Sequence, residues 1–130
     1  MFVDVLTVAQ RTPERQWSEM TSLPGWPEIE EALNHLDGDR SSLMTLGTDE
    51  GCMTIGGGRE GYLVCATFDL ENYHQAVDPA AEPEGRELRV NGKPRACASK
   101  AVVNRVVALR AARAFALDGR LEPSLLWEAC

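Results

Sequence analysis

The stretch TIGGGREGYLVCATF, residues 54–68, decides between two folds. Gly56, Gly58 and Gly61 spell G-x-G-x-x-G, the glycine spacing of dinucleotide-binding loops. Such a loop follows a strand and opens a helix, because the helix N-terminus carries the pyrophosphate. Here residues 62–68 are rich in aromatic and β-branched side chains and have no N-cap, so a strand follows the glycines. No acid closes a βαβ unit at the required place, and there is no G-K-[ST] for a phosphate loop. The glycines therefore predict a hairpin, with Gly56, Gly57, Gly58 and Gly61 supplying positive φ or a bulge.

Working outward, residues 41–58 read as two further strands separated by the turn T-D-E-G, and the three strands should pair antiparallel as a meander. Before them, in WPEIEEALNHLDG, Trp26, Ile29, Leu33 and Leu36 recur at helical spacing. Pro27 suits the first turn of that helix, the early glutamates favour its positive end, and Gly38 stops it. The first ten residues alternate weakly, as a strand would, and residues 11–25 read as a connection.

Downstream, residues 69–85 hold five acids (Asp69, Glu71, Asp78, Glu82 and Glu84), two prolines and no Lys or Arg. They read either as a solvated surface excursion or as an acidic binding loop, since long loops in small domains are often functional. ELRVNGKPRACAS is a second hairpin turning at Asn91-Gly92. Ser99 can cap a long helix over residues 100–118 that buries Val103, Val107 and Phe115, with Gly119 as its stop. Trp127 lies where the tail can tuck back onto the core. The expected fold is α+β, one domain over residues 1–130. A single antiparallel sheet of five or six strands carries the N-terminal and the long C-terminal helix on one face. Residues 1–25 are an extension or edge strand.

Charge narrows the function. Residues 1–85 carry 16 acids against 4 bases, and residues 86–130 carry 9 bases against 4 acids, within an overall −7. A chain acidic over two-thirds of its length repels phosphate and attracts a basic partner, so direct nucleic-acid binding is not expected. No run reaches 18 apolar residues, so no membrane partner is expected. The start, MFVDVLTVAQR, has no basic region before its apolar residues and reads as mature protein. The four cysteines form no C-x-x-C and read as reduced, structural thiols, in keeping with a cytoplasmic chain.

Catalytic signals are absent from the sequence. His35 and His74 sit 39 residues apart with no metal or nucleophile motif around either. The acid pairs Glu30/Glu31, Asp49/Glu50 and Glu82/Glu84 fall in a helix start, a turn and a loop, where solvated charge is ordinary. Neither a catalytic residue nor a metal or other cofactor is assigned.

The order of these features resembles the immunity proteins of bacterial polymorphic-toxin systems, the first-numbered Imm family, which guard against deaminase toxins. The resemblance runs over residues 26–128. It rests on WPEIEEALNHLDGDRSSL, IGGGREGYLV, ELRVNGKPRACAS and the C-terminal FALDGRLEPSLLWE, with Phe115, Gly119, Pro123 and Trp127 in place. Trp26 leads the first of these segments. The turn Asn91-Gly92-Lys93 departs from the more glycine-rich turn expected there. The resemblance implies a non-catalytic α+β domain that silences a toxin encoded by a neighbouring gene, commonly a cytosine deaminase acting on nucleic acid. A basic substrate cleft on that toxin would meet an acidic surface on this chain, with Asp69, Glu71, Asp78, Glu82, Glu84 and, at the glycine hairpin tip, Glu60 as candidate contacts. An acidic adaptor or secretion-chaperone-like module is the alternative, and a small enzyme built on Cys–His or carboxylate pairs a third.

Overall fold

The computed structural model describes all 130 residues. Nine strands and two short helices follow one another as β1 (Val5–Arg11), β2 (Gln16–Ser22), α1 (Trp26–Asn34), β3 (Ser41–Gly47), β4 (Cys52–Gly58), β5 (Gly61–Thr67), β6 (Tyr73–Val77), β7 (Gly85–Val90), β8 (Lys93–Ala98), α2 (Arg105–Arg113) and β9 (Leu126–Ala129). Seven strands form one antiparallel sheet in the order β2-β1-β3-β4-β5-β6-β9, and β7 and β8 form a separate hairpin.

The glycine stretch is the β4–β5 hairpin, with Gly58 opposite Gly61 and Arg59-Glu60 at its tip. Sequence alternation sets the two faces of these strands. Met53 and Ile55 of β4 and Tyr62, Val64 and Ala66 of β5 enter the main core, where α1 contributes Ile29 and Leu33. Ala108, Ala111, Ala112 and Phe115 cover the same face from α2 and the turn after it. On the opposite face Leu63 packs with Leu88, Ala101 and Val102, so the β7–β8 hairpin lies over the sheet there. Gly56 permits this approach, because a Cβ there would strike Val90.

Two parts of the expected architecture are overturned. The sheet has seven strands and a second sheet accompanies it, so the fold is mostly β. The segments 11–25 and 69–85 each contain a strand, β2 and β6, and the tail adds β9. The long C-terminal helix does not exist either. Ser99–Ala101 form a single 3-10 turn, and Val103 then runs extended, exchanging backbone hydrogen bonds with Tyr62 at 2.9 Å in both directions. The β-branched pair Val102-Val103 favours that extended form. The helix restarts at Asn104, whose side chain accepts from the Val107 N–H at 2.9 Å, a true N-cap. With the helix beginning there, Val106 points outward, and Ala108, Ala111 and Ala112 point inward instead.

Helix α2 ends in a wider π-helical turn, Ala114–Asp118, and Gly119 closes it in the left-handed conformation (φ 65°). Phe115 is fully buried there, with the rings of Phe2 and Phe68 centred 5.4 and 5.5 Å away. Trp26 is partly buried and lies under the Arg113 guanidinium at 6.0 Å, and Trp127 donates from Nε1 to the Glu122 carbonyl at 3.0 Å. No helix is long and apolar enough to cross a membrane.

Candidate functional site

In a meander, alternate turns return to the same end of the sheet. Turns 48–51 (β3 to β4) and 68–72 (β5 to β6) therefore share one end, which residues 1–4 before β1 and 22–25 after β2 also reach. These four segments contain Asp4, Asp49, Glu50, Asp69 and Glu71, all exposed, and no Lys or Arg. The Arg59-Glu60 tip, the start of α2 and the chain leaving β6 lie at the other end. The length of β5 separates the two ends by about 20 Å.

This register splits the acidic candidates. Asp69 and Glu71 belong to the acidic end, whereas Glu60, Asp78, Glu82 and Glu84 belong to the other. They do not form one surface. Asp69 also builds its own turn. Its carboxylate accepts from the N–H groups of Asn72 and Glu71 at 2.8 and 2.9 Å and from the Asn72 amide at 2.7 Å. These donors, the Asn72 N–H first, hold the Asp69 carboxyl well below the usual carboxylate range.

The acidic end also exposes large apolar side chains, which the sequence reading missed. Leu23 is 79% and Leu70 56% exposed, and Phe2, Tyr73 and Met1 are exposed as well. Leu23 and Leu70 share a further oddity, left-handed backbone at φ 49° and 62°. That conformation disfavours a branched L-residue by about 1–2 kcal/mol. An exposed leucine in such a position gains nothing from the local fold.

The opposite end holds a cavity of about 720 Å³. Its apolar lining is Leu36, Tyr62, Val102 and Val103, all buried, and Arg59, Arg86 and Arg105 stand around it, exposed. Burial pushes the Tyr62 hydroxyl above its ordinary value, and Arg105 opposes that rise. Asp37 also lines the cavity. Partial burial would raise its pKa, but the N–H groups of Asp39, Ser41 and Arg40, helped by Arg59, bring it below the ordinary value. His35 lines the same cavity at the end of α1, and His74 lies on β6.

Gly58 and Gly61 pin the tip in place. A Cβ on Gly58 would collide with the backbone of Asp37 and Gly38, and one on Gly61 (φ 136°) with the Val102 side chain. The G-x-G-x-x-G spacing thus serves close approach of three chain segments around the tip.

The cysteines are all free. Cys65 and Cys130 bring their sulfurs to 3.4 Å across β6, and burial, aided by Cys130, pushes the Cys65 thiol up to about 12. A thiol held protonated in this way is a poor nucleophile. No group of three or more His, Cys, Asp or Glu is arranged to hold a metal ion. No protein-family model matches the chain, and neither does any curated protein.

Proposed function

We propose that this chain is an inhibitor of the immunity-protein kind. It binds a basic bacterial toxin through its acidic end and supplies no catalytic step of its own. The observation that carries this reading is the coincidence at one end of Asp4, Asp49, Glu50, Asp69 and Glu71, with no base among them, and the exposed, left-handed Leu23 and Leu70. The acids attract and orient a basic surface, and the leucines supply apolar contact at two separate points along it, one beside β2 and one between β5 and β6. A toxin cleft built to hold a nucleic-acid backbone has this basic character, which favours a nucleic-acid deaminase encoded by a neighbouring gene as the target. The complex then forms in the cytoplasm of the producing cell.

The acidic surface is redrawn relative to the sequence expectation: Asp69 and Glu71 are joined by Asp4, Asp49 and Glu50, while Glu60, Asp78, Glu82 and Glu84 fall outside it. Co-expression with the product of the adjacent toxin gene tests the reading directly. The wild-type chain is expected to rescue growth and to co-purify with the toxin. Reversing Asp49, Glu50, Asp69 and Glu71 to lysine should slow association roughly 10- to 1,000-fold at low salt. Reversing Glu82 and Glu84 should leave association unchanged. Failure of the wild-type chain to rescue or co-purify would sink the inhibitor reading, and the opposite mutational pattern would move the interface to the other end.

A further inference from the structure

We propose that the cavity at the arginine end is a binding site for a small multivalent oxyanion, a phosphate or carboxylate compound, independent of the acidic end. Three elements each bring one guanidinium to it: the β4–β5 tip brings Arg59, β7 brings Arg86 and the start of α2 brings Arg105. None of the three lies within ion-pair distance of a carboxylate, since the molecule's two ion pairs are Lys100–Glu128 and Arg120–Asp118. Arg86 is fixed by a 2.6 Å hydrogen bond to the Glu60 carbonyl, and Arg59 and Arg105 donate to no protein group.

Three acids, Asp37, Glu60 and Asp78, also line the cavity, and none lies within ion-pair distance of a guanidinium. Asp37 accepts through Oδ1 from the N–H groups of Asp39 and Ser41 at 2.8 and 3.1 Å, and Asp78 through Oδ1 from Ala80 at 2.9 Å, so each holds backbone donors on one of its two oxygens. Glu60 is the one carboxylate there without a hydrogen bond, and it leans on the exposed tip. The unmet hydrogen-bonding capacity of the cavity is therefore mostly that of guanidinium donors, whose planar fork matches the oxygens of a carboxylate or phosphate. At about 720 Å³ the space is large enough for a small molecule.

The test is calorimetric titration of the full chain with inorganic pyrophosphate and, separately, with citrate. Saturable one-to-one binding of either compound is expected. Arg59→Ala, Arg86→Ala and Arg105→Ala should each weaken it by about tenfold, the value of one charge-assisted hydrogen bond. Arg95→Ala removes the same charge from β8, outside the cavity, and should leave binding within about twofold if the contact is local rather than diffuse. The Asp69→Lys/Glu71→Lys variant should bind the oxyanion as the wild type does, so this result stands or falls apart from toxin inhibition. Absence of saturable binding to both compounds, or an equal loss with Arg95→Ala, would overturn the proposal. Circular dichroism of each variant confirms that the fold is intact.

Discussion

At one end of the sheet, five carboxylates and two leucines stand on segments that hold no Lys or Arg; at the other, three arginines and three acids line a cavity with no ion pair between them. The acidic end is made mostly of turns between strands of the main sheet and the arginine end of the β4–β5 tip, β7 and the start of α2, and they differ in what they leave unsatisfied. The acidic end offers charge and apolar surface outward, around a smaller hollow of about 380 Å³ lined by Phe2, Asp4, Asp49, Glu50 and Phe68. The arginine end offers donors inward, around a concavity. What separates them is turn parity in the meander rather than distance along the chain: Asp69 and Asp78 are nine residues apart in sequence and lie at opposite ends.

Several substitutions would break or sharpen this contrast. The largest effect is expected at Phe115, the buried ring under Phe2 and Phe68 at the acidic end. Phe115→Ala should cost about 3–5 kcal/mol in urea unfolding and take partner binding with it. Gly58→Ala acts at the other end by driving a methyl group into the Asp37–Gly38 backbone. A loss of about 1–3 kcal/mol is expected there, with oxyanion binding weakened and partner binding kept at temperatures where the variant remains folded.

Smaller effects probe the acidic end alone. Leu23→Gly and Leu70→Gly relieve left-handed strain, less the entropy glycine loses on folding, so each should leave stability equal or raise it by up to about 1 kcal/mol. The same variants should lower partner affinity in a pull-down or titration. Unchanged affinity would show that the leucines are not contact residues. The smallest effect concerns pH. The Asp69 carboxyl is held below its ordinary value of 3.8 in the folded chain, so its contribution is fully present above that value and is lost as pH falls from there toward the depressed folded pKa. Asp69→Asn should make urea midpoints between pH 5 and pH 3, approximate limits spanning the start of that loss, fall less steeply than in the wild type.

What the sequence made legible was local. The meander of β3, β4 and β5, the Asn91-Gly92 hairpin and the Trp26 helix each carry their own signal within a dozen residues: a turn pair, an alternation or a helical spacing. The strands that escaped reading, β2 (QWSEMTS), β6 (YHQAV) and β9 (LWEA), lie toward the sheet's edges, where fewer side chains are buried and alternation fades. The C-terminal helix was misread because Ser99 and Asn104 are both competent caps, and only the pairing of Val103 with Tyr62 decides between them. The acidic end was present in the letters as Asp4, Asp49, Glu50, Asp69 and Glu71. Grouping them needed the pairing of β1 with β3 as well as the meander, and separating Asp78 from them needed the β6 register, which was hidden inside a segment that looked like a loop.

The path of the chain after β6 has a kinetic consequence. The backbone leaves the sheet at Val77, lays the β7–β8 hairpin over one face and α2 over the other, and rejoins at Leu126 to pair β9 with β6. Closing that long excursion loses chain entropy before the four-residue β9 returns any contact, so β9 should be the last element to dock. Substitutions in it, Trp127→Ala above all, are expected to accelerate unfolding while leaving the refolding rate nearly unchanged. The final strand then governs how long the molecule stays folded rather than how quickly it gets there.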